Sequence, residues 1–183
     1  MEKLYLKTNR IAIRNLQPQD LEDFYAYRSD EEVTRYQGFD VMTKDACAAF
    51  IAAQQDKLFG KPGEWVQYGI EDEHINKLVG DCAIKLDGSD PRIAEIGITI
   101  AQPHWKKGYA KEALAEIVRF LFEEKSLHRI VEIVDAENTA SIALLKSADF
   151  RQEGHFIEHI FFKGKWGSEY QYALLRREWE QAV

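Results

Sequence analysis

The chain has 183 residues, of which 45% are hydrophobic and 30% charged, and its 31 acidic and 24 basic residues give a net charge of −7. This length and composition are typical of a single globular domain spanning residues 1–183, which would bury roughly 70% of its unfolded surface. The acidic balance argues against nucleic acid as a partner, because nucleic acids bind basic surfaces.

The cysteines, the histidines and the N-terminus indicate no metal, redox or membrane chemistry. Cys47 and Cys82 belong to no Cys-x-x-Cys pair, and the neighbours of Cys82 predict a small buried side chain. His155 and His159 are four residues apart, but their aromatic and aliphatic neighbours predict a strand and not a helical metal site. The first residues contain no signal-peptide core, and no apolar run reaches membrane-spanning length. We therefore expect a cytoplasmic protein with no metal and no membrane partner.

The first half of the chain predicts a strand, two helices and three further strands. Residues 10–15 alternate as a strand, and two helices follow, one opened by Pro18 and one by the N-cap candidate Thr43. Three strand candidates come next, at residues 65–72, 77–86 and 92–100. Because the turns between them are short and polar, they predict an antiparallel meander.

The stretch 95–113 passes from a strand pattern into a helix through a bend that contains Gly108. Isoleucines alternate before the bend, whereas apolar residues from Ala110 onward recur at helical spacing. The first turn of a helix has unpaired amide N–H groups and the positive end of the helix dipole, so an anionic group is stabilised there. Since Gly108 has no Cβ, the backbone can approach a ligand closely. The stretch predicts a phosphate-binding cradle, although ordinary α/β connections share the pattern.

The rest of the chain predicts a strand, a helix and two strands, at residues 128–134, 138–148, 150–162 and 166–176. The full order is β-α-α-β-β-β-α-β-α-β-β, without an internal repeat or a linker. Composition and pattern alone therefore indicate an α+β or a mixed α/β fold class.

The segment from Trp105 to Ala110 resembles the acetyl-CoA-binding signature of the GNAT N-acetyltransferases, Gln/Arg-x-x-Gly-x-Gly/Ala. Trp105 takes the place of Gln or Arg, which is similar to the ribosomal-protein N-acetyltransferase-like subfamily. The element order resembles the GNAT acyl-CoA N-acyltransferase fold over nearly the whole chain, which implies a mixed central sheet flanked by helices. The resemblance implies acetyl-CoA as cosubstrate, with its pyrophosphate on the amides of residues 106–110. The implied cofactor-binding residues are Ile98, Thr99, Ile100, Lys106, Lys107, Gly108, Tyr109, Ala110, Lys111, Asn138 and Ser141.

A second motif, residues 138–150, resembles the family's Asn-x-x-Ser-x-x-Leu-x-x-x-x-Gly-Phe, with Asp149 in the place of glycine. Asp149 tolerates a left-handed helix end less easily than glycine does. Asn138 on its spacing alone is an N-cap, with Ser141 in the same first turn. The resemblance instead implies that Asn138 contacts coenzyme A.

Acetyl transfer to an amine needs a base for the amine and a proton donor for the departing thiolate. Glu95 is the candidate base, because the residues around it resemble the base-bearing strand of the histone-acetylating GNAT branch. The alternatives are a solvated strand carboxylate with no catalytic role, or a relay of water molecules. Ser141 is the candidate donor, with Tyr170 and Tyr172 as alternatives. Three lysines are candidate phosphate contacts or ordinary surface residues: Lys106, Lys107 and Lys146.

The resemblance implies an N-acetyltransferase that moves the acetyl group of acetyl-CoA to a primary amine, either a ribosomal or other protein N-terminus or a small molecule. The tail 164–179 is similar to the last strand of the ribosomal-protein-type subfamily, but Ser168 replaces a usual acidic residue. If that acid helps to recognise the acceptor, the substrate specificity differs from that of the ribosomal-protein enzymes. One alternative is a catalytically inert acyl-CoA-binding module of the same fold. Another is a different phosphate-binding enzyme, although no Gly-x-x-x-x-Gly-Lys-Ser/Thr is present. A monomer and a homodimer both remain open.

Overall fold

The computed structural model describes residues 2–182, which form one eight-stranded sheet with helices packed against it. The strands are β1 (Tyr5–Lys7), β2 (Ile11–Asn15), β3 (Trp65–Asp72), β4 (Lys77–Leu86), β5 (Ile93–Ile100), β6 (Arg129–Asp135), β7 (Arg151–Phe162) and β8 (Lys165–Leu175). The helices are α1 (Leu21–Arg28), α2 (Glu31–Thr34), α3 (Lys44–Gln54), α4 (Tyr109–Arg119), α5 (Thr139–Ser147) and α6 (Arg176–Ala182). Within the described range, none of them has the length and apolar character needed to cross a membrane.

The strand order in the sheet is β1-β2-β3-β4-β5-β6-β8-β7. Neighbouring strands are antiparallel except β5 and β6, which are parallel and pair only from Ile93 with Arg129 to Glu95 with Val131. Both strands continue beyond this contact, β5 to Ile100 and β6 to Asp135. The strands β5 and β6 are therefore paired at their N-terminal ends and separated towards their C-terminal ends.

Helices cover the two faces of the sheet. Adjacent strand residues point to opposite faces, and in β4 Cys82 belongs to the cluster that contains Leu114 and Ile117 of α4. Asp81, its neighbour, instead accepts hydrogen bonds from the Arg28 guanidinium of α1 at 2.7 to 3.1 Å. The buried thiol of Cys82 agrees with the sequence expectation, and burial raises its pKa.

The predicted mixed sheet with flanking helices is confirmed, and so is the three-strand meander of β3, β4 and β5. Thr43 accepts a hydrogen bond from the Ala46 amide at 3.2 Å and caps α3 as predicted. The structure adds β1, the short α2 and α6, which the sequence pattern did not indicate. The last strand ends at Leu175, one residue before the predicted end, because the Glu178 carboxylate accepts the Leu175 amide hydrogen bond as the chain turns into α6.

Candidate active site

A cavity of about 590 Å³ opens where β5 and β6 separate. One wall is the end of β5 with the start of α4, the opposite wall is α5, and a third side is the segment around α2. Its lining residues are Glu32, Val33, Arg35, Tyr36, Gln37, Ile98, Thr99, Ile100, His104, Trp105, Lys106, Gly108, Tyr109, Ala110, Lys111, Glu137, Asn138, Thr139, Ala140, Ser141, Ala143, Leu144 and Ser147. Of the implied cofactor-binding residues, all but Lys107 line this cavity.

The cradle at the start of α4 consists of residues 106–110. Gly108 has φ +84° and Lys106 φ +59°, so two left-handed residues bend the backbone just before the helix. No side chain caps α4, and the amides of residues 106–108 donate to no acceptor within residues 2–182. Such alternating backbone conformations form anion-binding concavities, and the helix dipole adds to the attraction. The geometry of the cradle suits a phosphate group.

Arg10 supports the cradle from outside the cavity. Its guanidinium donates to the Glu112 carboxylate at 2.7 and 2.9 Å and to the Lys107 carbonyl oxygen at 3.1 Å. It also lies 4.1 Å from the centre of the Tyr109 ring, whose hydroxyl donates to Asp72. The role of Arg10 could not be predicted from the sequence, because nothing local to the start of β2 indicates a contact about a hundred residues away.

Trp105 occupies the position where the GNAT signature has Gln or Arg. Its indole Nε1–H donates to the Ile100 carbonyl oxygen at 2.6 Å, at the last residue of β5. This bond ties the end of the strand to the turn that precedes the cradle. The neighbouring His104 also lines the cavity, where burial lowers the pKa of its imidazole and Nδ1 has no partner within the described chain.

The edge of β5 forms the floor of the cavity. Ile98, Thr99 and Ile100 lie beyond the last pair with β6, so their backbone groups on that edge are not used by the parallel ladder. On the other edge β5 stays paired with β4 up to Ile100. A rigid strand with one open edge can therefore bind an extended, amide-containing chain.

Asn138 and Ser141 lie on the opposite wall, in the first turn of α5. The Asn138 side-chain oxygen accepts from the Ser141 amide at 3.1 Å, so Asn138 caps the helix. Its position in the cavity wall leaves the amide nitrogen able to meet a ligand as well. Asp149 has φ +60° and ends the helix in the left-handed conformation that the motif requires.

Behind Ser141 lies Glu132, a carboxyl that the sequence pattern did not single out. The Ser141 hydroxyl and the Glu132 Oε1 atom are 3.3 Å apart, and Glu132 is only 5% exposed. Burial raises the pKa of Glu132 to about 8, with a further upward contribution from the Glu95 carboxylate, against the lowering effect of the Ser141 hydrogen bond. Glu132 is therefore largely protonated at neutral pH.

Glu95, the candidate base, is the last residue of β5 that pairs with β6 and does not line the cavity. Its carboxylate forms a 2.5 Å ion pair with Lys85, and its side chain is 25% exposed. Lys85 in turn lies 4.7 Å from the centre of the Trp65 ring. Glu95 thus lies where β5 and β6 begin to separate, and one of its carboxylate oxygens is already paired with Lys85.

Several other candidates lie outside the cavity. Tyr172 is buried with its hydroxyl 3.4 Å from Gln152, and the Tyr170 ring packs against His155 with the two ring planes tilted by 55°. Lys146 is exposed, and the residues that line the cavity include neither Lys146 nor Lys107. Neither tyrosine nor these two lysines reaches the cavity wall.

The β7–β8 hairpin contains the histidines and Ser168. His159 contacts the Glu169 carboxylate, and the Ser168 hydroxyl accepts from the Glu158 amide at 2.9 Å. At the tip of the hairpin, Lys163 donates to the Thr34 carbonyl oxygen at 2.6 Å. The hairpin is thereby fastened to α2, whose following residues form the third side of the cavity, a contribution that sequence analysis did not predict.

The family profile described as "Acetyltransferase (GNAT) domain" matches residues 10–151. The chain belongs to the GNAT acetyltransferase family. The uncharacterized N-acetyltransferase p20 of Bacillus licheniformis is 32% identical over 98% of this chain and 99% of that protein. A solved GNAT-family acetyltransferase from Bacillus anthracis has a TM-score of 0.86 at 29% identity, covering 96% of this chain and 100% of that one. The spermidine N-acetyltransferase of Vibrio cholerae, solved with CoA and spermine, shares the fold, with a TM-score of 0.79 at 20% identity over 94% and 99% of the two chains.

This GNAT protein is an acetyl-CoA-dependent acetyltransferase, and its cavity fits that cosubstrate. The unpartnered amides of the cradle suit a pyrophosphate, and Lys106 and Lys111 add positive charge beside them. The open edge of β5 and the apolar side chains of Ile98 and Leu144 suit the amide-containing, partly apolar pantetheine arm. These features suit the pyrophosphate and the pantetheine arm of coenzyme A.

Proposed function

We propose that the chain is a single N-acetyltransferase domain, residues 1–183, that transfers acetyl groups to primary amines in the cytoplasm. The observation that carries this proposal is the cavity where β5 and β6 separate. It has the phosphate cradle at one end and the α2 segment at the other. The acceptor is a protein N-terminus, ribosomal or other, or a small-molecule amine, and the protein acts as a monomer or a homodimer.

Acetyl-CoA supplies the acetyl group as a thioester. In the proposed reaction the cradle amides bind the pyrophosphate, and Asn138 contacts the cosubstrate while it caps α5. Ser141 faces the sulfur from the α5 wall and donates a proton to the departing thiolate. Glu95 accepts the proton of the amine through water, because the Lys85 pair holds it where β5 and β6 begin to separate and it does not reach the cavity directly.

The amine enters from the side of the cavity lined by residues 32–37. A second cavity of about 330 Å³ adjoins this side and shares Arg35, Tyr36 and Glu137 with the first. Asp135 and Glu137 line it together with Arg35, Lys163 and Lys165, and Glu137 is ion-paired with Lys165 at 3.1 Å, so an acceptor meets mixed charge there. The spermine bound to the Vibrio cholerae structure supports a small polyamine as one acceptor class to test.

The test is an acceptor screen. Purified protein is incubated with acetyl-CoA and with polyamines, other small amines or peptides that carry free N-termini, and each product is examined for a mass gain of one acetyl group. We expect transfer to one of these classes, together with release of free coenzyme A. Thermal stabilisation by acetyl-CoA with no transfer to any amine would instead support the inert binding module.

A further inference from the structure

Glu132 differs from the other buried acidic residues of the chain. Asp20 pairs with Arg14, Asp81 with Arg28, and Asp72 accepts from the Tyr109 hydroxyl. Within residues 2–182 Glu132 has no cationic partner, and its Oε2 atom has no hydrogen-bond partner at all. An ionised carboxylate in such a place is strongly disfavoured, whereas a neutral carboxyl is tolerated. The surroundings of Glu132 thus hold a proton on it.

The position of Glu132 links it to the site. It is the first residue of β6 beyond the last pair with β5, where Glu95 and Val131 lie side by side. It does not line the cavity, but Ser141 does, and the Ser141 Oγ atom lies 3.3 Å from Oε1 of Glu132. Ser141 therefore stands between a buried carboxyl and the cavity.

The groups that face Glu132 come from three elements. Ser141 faces it from α5, and Tyr172 is its cross-strand neighbour on β8, with a hydroxyl directed to Gln152. From β5 the Glu95 carboxylate contributes negative charge, which together with burial raises the pKa of Glu132 to about 8. The surroundings thus favour the protonated carboxyl at neutral pH, and Glu132 loses its proton only when the pH rises above neutral.

We propose that Glu132 is a positioning residue that delivers a proton through the Ser141 hydroxyl to the thiolate leaving group. This inference rests on the proposed role of Ser141. As the amine nitrogen bonds to the carbonyl carbon and the carbon–sulfur bond breaks, the sulfur takes the proton of Ser141 Oγ, and Oγ takes the proton of the Glu132 carboxyl. Glu132 is left as a carboxylate and regains a proton from solvent, to which Glu95 passes on the proton that it took from the amine.

The relay explains how a serine, which is a poor proton donor by itself, can protonate the thiolate. A serine hydroxyl is a very weak acid, so donation from it alone would leave an alkoxide in the site. When a carboxyl refills the hydroxyl in the same step, no alkoxide forms, and the proton comes from a group whose acidity is close to the working pH. The reaction remains balanced, because the amine loses the proton that the thiol finally carries.

The experiment measures kcat between pH 6 and 9.5 for the wild type, Glu132→Gln, Ser141→Ala and the double variant. In the wild type kcat should fall as pH rises through about 8. Glu132→Gln keeps the shape of the side chain but has no acidic proton, so kcat should drop roughly 100-fold and the alkaline fall should disappear. Since the two residues act as one unit, the double variant should be no slower than the slower single variant.

The matched control is Glu153→Gln, the same substitution on β7, where Glu153 forms exposed ion pairs with Arg129 and Arg151. Its kcat and pH profile should equal those of the wild type. If Glu132→Gln does not fold, Ser141→Ala serves in its place, because it too should lose the alkaline fall. A readout without turnover is the infrared carbonyl band of a protonated carboxyl, which should be present in the wild type at pH 7 and titrate near pH 8.

The outcomes separate the two proposals. A wild type that acetylates an amine, with a Glu132→Gln variant that keeps both kcat and the alkaline fall, refutes the relay and leaves the proposed function intact. Independent, multiplicative losses in the double variant also refute it. A wild type that acetylates no amine refutes the proposed function, and the absence of the carboxyl band at pH 7 then refutes the relay separately.

Discussion

At Gly108 the backbone geometry and the space for a ligand coincide. A Cβ at this residue would find its nearest neighbour, Arg10 Nη2, at 3.6 Å, so the protein itself has room for a side chain there. We predict that Gly108→Val folds, with a strain of ~1–3 kcal/mol from its φ of +84°. The isopropyl group would occupy the place of the pyrophosphate, so acetyl-CoA binding measured by calorimetry should be lost.

Gly164→Val is the matched control for the strain. Gly164 has φ +78° in the β7–β8 turn, and a Cβ there meets nothing within 4 Å. The two variants should lose similar stability in denaturant, but Gly164→Val should bind acetyl-CoA normally. If Gly108→Val is folded and binds with unchanged affinity, the cradle assignment is wrong.

Glu95→Gln distinguishes a base from a structural carboxylate. A base acts in the transition state, so the variant should lose roughly 100-fold in turnover with little change in acetyl-CoA affinity. Lys85→Met breaks the same ion pair from the other side and is the control. Equal, small losses in both variants would show that only the ion pair matters. A loss confined to Glu95→Gln, with a changed acidic limb of the pH profile, supports the base.

At the scale of single elements, the cap of α5 has two roles that can be separated. Asn138→Ala removes the hydrogen bond to the Ser141 amide and should cost about 1 kcal/mol of stability without ligand. If Asn138 also contacts acetyl-CoA, the thermal shift that the cosubstrate produces should shrink as well, because only the liganded state has lost that interaction.

Thr43→Ala is the control for the cap, because Thr43 caps α3 away from the cavity. It should destabilise the protein by a similar amount and leave the acetyl-CoA shift unchanged. An Asn138→Ala variant that behaves in every respect like Thr43→Ala would limit Asn138 to capping.

Local patterns in the sequence predict the elements whose cause is local. The bounds of β3 and β4 agree with the prediction to the residue, because alternating apolar residues end at polar turns on both sides. The same is true of the start of α3, which an N-cap side chain defines. The bend between β5 and α4 was predictable as well, since a strand period, a glycine and a helix period follow one another within a few residues.

Contacts between distant parts of the chain were not predictable in this way. Arg10 supports the cradle across about a hundred residues, and the placement of β8 between β6 and β7 depends on how three separate strands pack. Glu132 was missed because a charged residue in an alternating strand ordinarily faces solvent. Its burial follows from the docking of α5, which no local pattern indicates.

At the scale of the whole molecule, Glu132 makes stability depend on pH. The folded protein keeps its proton up to pH about 8, whereas the unfolded chain releases it near 4.5. Between these values the unfolded state binds fewer protons, so the free energy of unfolding should fall as pH rises. At ~1.4 kcal/mol per pK unit, this loss is on the order of a few kcal/mol.

Denaturant unfolding at pH 5, 6.5 and 8 measures this effect. Glu132→Gln should flatten the decline and be more stable than the wild type at pH 8. Glu153→Gln should keep the wild-type slope over this range, because the Arg129 hydrogen bond lowers the pKa of Glu153 and its titration lies in acid. A wild type whose stability is constant from pH 5 to 8 would contradict the buried, protonated state of Glu132.

The short parallel contact between β5 and β6 also determines which part of the sheet separates most easily. Only three residue pairs join these strands. The amides on the free edges beyond these pairs should therefore exchange their hydrogen rapidly, because little free energy is needed to expose them to water. A cosubstrate lying between the strands would hydrogen-bond to both walls and couple them into one cooperative unit. Hydrogen exchange at residues 96–100 and 138–141 should therefore slow when acetyl-CoA is added, while exchange in β2 and β3 stays the same. The line along which the fold separates most easily is then the line along which its cosubstrate binds.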